Sequence, residues 1–136
     1  MNCLLDTHIL LWALTGDERL PQKALEIICN PENVIYYSFA NVWELAIKHA
    51  MKKPDIPISP ERFDTLCIEA GYRRLAARHE HTFLLQTLKY DKHNAPREHR
   101  DPFDRLLLVQ AKYENMRFVT HDELIPYYNE PCVEAV

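Results

Sequence analysis

Short apolar runs alternate with stretches of helical periodicity along this chain, and this alternation constrains the fold more than any other feature. The runs Cys3–Leu5, Val34–Tyr37 and Arg117–Thr120 are rich in leucine, β-branched or aromatic residues, which is typical of buried strands. Helical patterns separate them, so successive strands are joined by the right-handed crossovers of βαβ units. We therefore predict an α/β fold, a three-layer sandwich with a mainly parallel central sheet flanked by helices.

The remaining segments complete this pattern within one predicted domain, residues 1–136, because 136 residues with 47% hydrophobic content suit a single core. Helices are predicted at Ile9–Leu14, Pro21–Cys29, Ala40–Lys52, Pro60–Ala70, His81–Leu88 and Pro102–Tyr113. Weaker strands are predicted at Tyr72–Ala76 and Cys132–Val136, and the polar segment Lys89–Arg100 is the longest predicted loop. Trp12, Trp43 and Phe103 are expected to pack in the core.

Glycine is scarce, and this excludes two common kinds of phosphate-binding loop. The chain contains only Gly16 and Gly71, whereas a dinucleotide-binding GxGxxG loop needs three glycines and a Walker A loop needs two, five residues apart. The net charge of −4, from 16 basic and 20 acidic residues, does not by itself indicate a nucleic-acid binder.

The cysteine pattern and the N-terminal residues indicate the cellular compartment in which we expect the chain to function. The four cysteines are spread along the chain at Cys3, Cys29, Cys67 and Cys132. They form no CxxC pair, which argues against zinc-knuckle and thioredoxin-like motifs, and we expect each thiol to be a small core residue. Asp6 and His8 interrupt the first apolar stretch, so it is not a signal peptide, and no apolar run is long enough for a membrane span. We predict a reduced, soluble, cytoplasmic domain.

Four carboxylates are placed near the ends of the predicted strands. Asp6 directly follows the first strand, and Asp122 lies two residues beyond the strand that ends at Thr120. Glu44 lies early in the helix after the second strand, and Asp104 begins the helix before the last long strand. Sites in open α/β sheets form beyond the carboxyl ends of the strands, so we expect the four acids to converge there.

Converging carboxylates repel one another, so they either retain protons or bind cations. Hard oxygen ligands favour Mg²⁺ or Mn²⁺, which can activate water and stabilise the leaving oxygen of a phosphodiester. The hypothesis is therefore metal-dependent hydrolysis of a phosphoryl group. Taken singly, an Asp after a strand is more often a helix cap or an Asx turn, so the hypothesis depends on the joint placement of the four acids.

Four stretches of the chain together carry a recognisable combination of residues. They are Leu4–His8 with Leu11 and Trp12, Ser38 through Asn41–Lys48, His99–Leu107, and Val119–Asp122. In combination they resemble the PIN-domain family, and more closely its VapC-like toxin branch from bacterial toxin–antitoxin pairs. They occur in the order and spacing of the family and span nearly the whole chain. Related sequences often have Ser at the position of Asn41, and Asn keeps the ability to form hydrogen bonds.

The resemblance implies a parallel sheet flanked by helices and a Mg²⁺- or Mn²⁺-dependent endoribonuclease. It places catalytic, metal-binding acids at Asp6, Glu44, Asp104 and Asp122, with Asp101 as an auxiliary acid. Thr7, Ser38, Asn41 and Thr120 would support these acids through hydrogen bonds to carboxylates or water. Members of the family usually form homodimers and are inhibited by a cognate antitoxin that blocks the acidic groove.

An RNA substrate requires phosphate contacts, and one segment is suited to provide them. The segment 72–105 contains eight Lys and Arg against five acids, a net charge of +3, while the rest of the chain carries −7. We expect Lys92, Arg97, Arg100 and Arg105 to contact RNA phosphates. Taken singly, each of these residues is more simply explained as a solvated charge on the protein surface.

Two other functions remain as alternatives. A signalling receiver domain would need paired acids after the first strand and a Lys after a late strand. Here Asp6 is followed by Thr7 rather than a second acid, and Thr120 is followed by His121 rather than a Lys, so both features are missing. A catalytically silent PIN-like module that binds RNA or a protein partner would be favoured by a missing acid, yet all four acids are present. Titration with Mn²⁺ separates this second alternative from a nuclease.

Overall fold

A five-stranded parallel sheet forms the centre of the computed structural model, which describes residues 1–136. The strands are β1 (Asn2–Leu5), β2 (Val34–Ser38), β3 (Arg73–Leu75), β4 (Arg117–Thr120) and β5 (Val133–Ala135). Their order in the sheet is β3-β2-β1-β4-β5, and every neighbouring pair is parallel. The predicted α/β sandwich is therefore confirmed, with a sheet that is parallel throughout.

Six α-helices connect and cover the strands. They are α1 (Thr7–Thr15), α2 (Gln22–Cys29), α3 (Phe39–Ala50), α4 (Pro60–Glu69), α5 (His79–Phe83) and α6 (Pro102–Glu114). Short 3₁₀ helices cover Leu84–Thr87 and Ile125–Tyr128. The helical segment predicted at 81–88 is present but divided, since α5 ends at Phe83 and a 3₁₀ helix continues to Thr87. The hydroxyls of Thr82 and Thr87 donate to carbonyls three residues earlier, which competes with regular helical bonding.

Because all the strands are parallel, their five carboxyl ends lie at one edge of the sheet. β1 is central, with Leu4 opposite Tyr36 of β2 and Leu5 opposite Val119 of β4. The chain adds β2 and β3 on one side of β1 and β4 and β5 on the other, so the direction of winding reverses between β1 and β4. This reversal leaves a crevice at the carboxyl edge, where open α/β sheets form their sites.

Both faces of the sheet are buried, which explains the continuous apolar runs of its strands. Successive side chains of β1 point to opposite faces, so Leu4 and Leu5 belong to separate core clusters. The cluster around Leu5 includes residues of α1, α2 and α4, such as Phe63. The cluster around Leu4 includes Leu107 and other residues of α6. The core thus fixes α1 and α6 on either side of the crevice.

Some residues expected in the core lie elsewhere. Trp43 is 48% exposed and Phe103 is only partly buried, whereas Trp12 packs against the core cluster around Leu5 as predicted. Cys3 and Cys67 are buried as expected, but the core role predicted for Cys29 is wrong because Cys29 is exposed. None of the helices combines the length and apolar character needed to cross a bilayer.

Candidate metal centre

A cleft of about 330 Å³ opens at the carboxyl edge of the sheet. Its lining includes all four acids predicted to bind metal, and the acids of the cleft are Asp6, Glu44, Asp55, Asp101, Asp104 and Asp122. Only two Lys or Arg side chains, Arg19 and Lys48, line the same space. The cleft is therefore strongly acidic, as the positions of the strand ends predicted.

Asp6 connects the end of β1 to the start of α1. Its Oδ1 accepts a hydrogen bond from the backbone N–H of His8 at 3.3 Å, which caps α1. Its Oδ2 accepts a hydrogen bond from Thr120 Oγ1 at 2.7 Å. Burial raises the pKa of Asp6, the Thr120 hydrogen bond lowers it, and the charge of Glu44 raises it further. Asp6 is thus both a helix cap and a buried acid of the cleft.

Glu44 enters the cleft from the second turn of α3 and is almost completely buried. Thr7 Oγ1 donates to its Oε1 at 2.7 Å, and Lys48 Nζ donates to its Oε2 at 2.6 Å. Burial disfavours the charge of Lys48, but the hydrogen bond and charge of Glu44 outweigh this effect and raise the Lys48 pKa. Both carboxylate oxygens of Glu44 therefore have fixed partners, and one partner is a cation that the sequence analysis did not assign.

Asp104 lies in the first turn of α6 beside a histidine. Asp104 Oδ2 is 3.2 Å from Nε2 of His99, and the other ring nitrogen, Nδ1, is 2.7 Å from the Tyr128 hydroxyl oxygen. When Asp104 is ionised, Nε2 carries the proton towards it and Nδ1 accepts from the hydroxyl of Tyr128. The three side chains form a chain of hydrogen bonds that fixes the orientation of the carboxylate.

The protonation of Asp104 reflects its crowded, buried setting. Burial and, to a smaller extent, the negative charges of Asp6, Asp101 and Glu44 together raise its pKa to about 7. The hydrogen bond from His99 lowers the pKa but does not offset them. A cation bound in the cleft would reverse this balance, because it favours the ionised carboxylate.

Asp122 completes the group from the end of β4. Its backbone N–H donates to Thr120 Oγ1 at 3.0 Å, and its Oδ1 accepts from the backbone N–H of Leu124 at 2.7 Å. One ligand atom from each of His99, Asp104 and Asp122 lies within 4.8 Å of the other two. Both ring nitrogens of His99 face hydrogen-bond partners, so the two carboxylates are the ligands available to a metal ion. Carboxylate oxygens suit Mg²⁺ and Mn²⁺, so the donor set fits the predicted ions.

Sequence reasoning missed His99, although His99 opens the stretch that ends in the Asp104 helix. It precedes Asp104 by five residues and lies outside α6, so helical periodicity says nothing about its position. Only the return path of the loop brings its ring against Asp104. A histidine shortly before an acidic helix start was the one available signal.

The buried polar residues around Asn41 form one connected network. Asn41 Nδ2 donates to Thr7 Oγ1 at 3.0 Å and to the Leu5 carbonyl at 3.3 Å, and its Oδ1 accepts from the Ser38 backbone N–H at 2.7 Å. Thr7 in turn donates to Glu44. Asn41 therefore satisfies its polar atoms and links β1, β2 and α3, so the replacement of the common Ser leaves no gap in the network.

Two of the predicted supporting residues act less directly. Ser38 contacts no carboxylate, since its hydroxyl donates to Gln110 and caps the start of α3. Asp101 lines the cleft, but its Oδ1 accepts from the backbone N–H groups of Phe103 and Asp104 and so caps α6. These residues position the helices that carry Glu44 and Asp104.

The residues predicted to bind RNA divide into two groups. Lys92, Arg100 and Arg105 line a second pocket, of about 390 Å³, next to the acidic cleft. Arg97 does not line this pocket and forms an exposed ion pair with Glu123 at 2.6 Å. The structure thus brings together three of the four predicted residues.

Comparisons with known proteins agree with this architecture. The crystal structure of VapBC2 from Rickettsia felis, bound to a DNA fragment from their promoter, contains a similar fold. The match has a TM-score of 0.66 and 19% sequence identity, and it covers 100% of this chain and 99% of that chain. No curated protein matches the sequence. The family model of the PIN domain matches residues 3–130, and the chain therefore belongs to the PIN domain family.

Proposed function

We propose that this protein is a Mg²⁺- or Mn²⁺-dependent endoribonuclease that acts as the toxin of a toxin–antitoxin pair. The observation that carries the proposal is the convergence of Asp6, Glu44, Asp104 and Asp122 in one cleft of a PIN-domain fold. The similar fold in VapBC2 supports the toxin assignment. The proposed setting of this activity is the cytoplasm.

The charge of the cleft supports a requirement for metal. Lys48 forms an ion pair with Glu44, and Arg19 forms one with Asp17, which lies outside the cleft. No Lys or Arg forms an ion pair with Asp6, Asp104 or Asp122. An RNA phosphate would therefore meet mainly negative charge, and a divalent cation is the simplest way to reverse the local potential.

The chain's own side chains would position the reacting groups. Asp6, Glu44, Asp104 and Asp122 would hold the cation, which supplies a nucleophilic water and stabilises negative charge on the leaving oxygen when bound. Thr7 and Thr120 each fix one carboxylate by a hydrogen bond of 2.7 Å, so the acids keep their orientation before metal binds. Preorganisation of this kind reduces the rearrangement required for the reaction.

Substitution of single acids tests the proposal. Asp6→Asn and Asp104→Asn should each lower Mg²⁺-dependent cleavage of single-stranded RNA by at least about a hundredfold, because each removes a charge that holds the cation. Glu26→Gln, an exposed residue on α2, is the matched control and should cleave like the wild type. Intact cleavage in both Asp variants would overturn the proposed mechanism.

One contact favours a catalytically silent module as the second candidate. Lys48 Nζ already lies 2.6 Å from Glu44 and supplies a positive charge within the cleft. A silent module would bind RNA or a partner without a metal requirement. Titration with Mn²⁺ distinguishes the two, since a nuclease should show saturable binding that Asp104→Asn weakens and a silent module should show none.

Protein partners form part of the same proposal. Exposed apolar side chains recur at every fourth position along α3 and its C-terminal cap, at Phe39, Trp43, Ile47 and Met51. Exposed apolar patches of this kind mark interaction surfaces. A homodimer and a cognate antitoxin are the proposed partners. The product of the reading frame adjacent to the gene should bind this protein and inhibit its RNA cleavage.

A further inference from the structure

A second pocket adjoins the acidic cleft and has the opposite charge. It is lined by three basic side chains, Lys92, Arg100 and Arg105, and by one acid, Glu98. His99 forms the wall between the two sites, since its ring lines the basic pocket while its Nε2 lies 3.2 Å from Asp104. A strand that crosses this wall would pass directly from an acidic cleft into a basic pocket.

Arg105 is the best-positioned cation of the pocket. It follows Asp104 in α6, and its backbone N–H donates to the Asp101 carbonyl at 3.2 Å. Its Nε is buried without a hydrogen-bond partner, and no carboxylate forms an ion pair with its guanidinium. A buried donor without an acceptor is costly and uncommon, so this guanidinium is incompletely satisfied by the protein alone.

The other basic side chains differ in their availability. Lys92 is exposed and has no ion-pair partner, whereas Arg100 pairs with Glu98 at the rim. Lys92 and Arg105 therefore contribute positive charge that no acid offsets. The pocket is suited to an anion that accepts several hydrogen bonds, and a phosphate group is such an anion.

We propose that this pocket binds one phosphate of single-stranded RNA, next along the strand to the phosphate held at the acidic cleft. This inference rests on the proposed ribonuclease function. The acidic cleft would need a cation to accept a phosphate, while the basic pocket binds one directly. Phosphates bound on both sides of His99 would fix the path that the RNA backbone takes across the site.

Aromatic rings in the same pocket favour RNA over an acidic protein segment. Tyr90 and Tyr128 both line it, with ring centroids 4.9 Å apart, and Tyr90 is only half-buried. A base adjoining the bound phosphate would find an aromatic face for stacking, which tolerates any base. An acidic peptide would use the cations alone and would gain nothing from proximity to the cleft.

Salt-dependent RNA binding without divalent metal tests the pocket separately from catalysis. The affinity of a short fluorescent single-stranded RNA is measured in EDTA over a series of NaCl concentrations. In the double variant Lys92→Gln/Arg105→Gln, RNA affinity should fall about tenfold. The slope of log affinity against log salt should become shallower by about 0.7, the value for one phosphate contact on a single strand.

A matched control removes the same amount of charge elsewhere. Arg62 on α4 and Arg73 on β3 are exposed and have no ion pairs, so Arg62→Gln/Arg73→Gln should keep the wild-type slope. Arg105→Lys retains the charge and should keep the slope while it weakens affinity, because an ammonium lacks the planar fork of guanidinium. Thermal unfolding of each variant identifies any loss of the fold.

Each outcome decides the inference. An unchanged slope in the pocket variant overturns it, and so does an absence of RNA binding by the wild type. The same variants are also tested with a fluorescent oligoglutamate peptide. If Lys92→Gln/Arg105→Gln loses the peptide binding of the wild type but keeps its RNA binding, the inference is overturned in favour of an acidic protein partner. Failure of the wild type to cleave RNA with Mg²⁺, combined with the expected change of slope, would overturn the proposed catalysis and leave the phosphate site standing.

Discussion

At the scale of single residues, Asp104 gives the metal-free protein an unusual pH dependence. Burial, together with the nearby carboxylates, raises its pKa in the folded state to about 7, well above the value of 3.8 for an unperturbed Asp. The folded state therefore binds more protons than the unfolded state between these values, and the free energy of unfolding falls as pH rises through that window. We expect a loss of at least about 1 kcal/mol between about pH 5 and about pH 8, measured by urea denaturation in EDTA.

The variant Asp104→Asn should reduce this dependence, because the amide does not titrate; the raised pKa of Asp6 accounts for the part that remains. Asp17→Asn is the control, since the hydrogen bonds of Arg19 lower the pKa of Asp17 to about 2, outside the window. Asp17→Asn should retain the wild-type pH dependence. If the free energy of unfolding of Asp104→Asn still falls with pH as steeply as that of the wild type, another acid of the cleft holds the proton.

Tyr128 is a positioning residue that acts on Asp104 through His99. Its hydroxyl oxygen lies 2.7 Å from His99 Nδ1 and fixes the ring so that Nε2 faces the carboxylate. Tyr128→Phe should weaken Mn²⁺ binding about tenfold, as is usual when a hydrogen-bond partner of a metal-site residue is lost. Isothermal titration calorimetry measures the affinity.

Tyr90→Phe is the matched control for this prediction. Tyr90 belongs to the same aromatic cluster, but its hydroxyl donates to the carbonyl of Arg97 at 2.8 Å and not to His99. Its removal should leave Mn²⁺ affinity unchanged. Equal affinities in both variants and the wild type would show that the orientation of His99 does not depend on Tyr128.

At the scale of elements, the start of α3 joins three parts of the sheet edge. Asn41 makes three buried hydrogen bonds, to Ser38 of β2, to Leu5 of β1 and to Thr7 of α1. Asn41→Ala leaves these groups without their partner, so we expect the free energy of unfolding to fall by about 2–4 kcal/mol. Urea denaturation measures this change.

Asn41→Ser tests whether hydrogen bonding, rather than side-chain volume, is responsible. Serine can keep part of the network, so this variant should retain more stability and more RNA cleavage than Asn41→Ala. If both variants unfold with the wild-type free energy, the network around Asn41 does not determine where Thr7 and Glu44 lie.

The exposed face of α3 gives a prediction about assembly. Ile47 is 39% exposed within the stripe that also contains Phe39, Trp43 and Met51. If a second copy covers this stripe, Ile47→Glu should convert a dimer to a monomer, because it buries an unpaired charge at the interface. Light scattering after size-exclusion chromatography measures the mass. Ile68→Glu, at an exposed position of α4, should leave the mass unchanged.

At the scale of the whole molecule, the sequence predicts the sheet well because its information is local. The run Cys3–Leu5 and the helix start at Pro102 are readable from apolar spacing and capping residues alone. The convergence of Asp6 and Asp122 then follows from a general rule about the ends of parallel strands. The acidic cleft was therefore predictable without knowledge of any loop.

The features missing from the prediction have different origins. His99 reaches Asp104 through the course of a loop, which no helical or strand spacing encodes. The Glu44–Lys48 pair, four residues apart in α3, is by contrast encoded in helical spacing and is simply absent from the prediction. Trp43 was assigned to the core because an apolar helical position has the same pattern whether the monomer or a partner covers it. These errors fall at the site and at the proposed interface.

Metal binding should couple the stability of the whole fold to the acidic cleft. A ligand that binds only the folded state adds about 2.7 kcal/mol at a concentration one hundred times its Kd, so Mn²⁺ should raise the melting temperature. Binding requires Asp104 to be ionised, and its pKa of about 7 means that the rise in melting temperature should be larger at pH 8 than at pH 6.

The double variant Asp6→Asn/Asp104→Asn should show no rise in melting temperature with Mn²⁺, whereas Glu26→Gln should match the wild type. Equal melting temperatures with and without Mn²⁺ in the wild type would favour the catalytically silent module, because its cleft would then hold no cation.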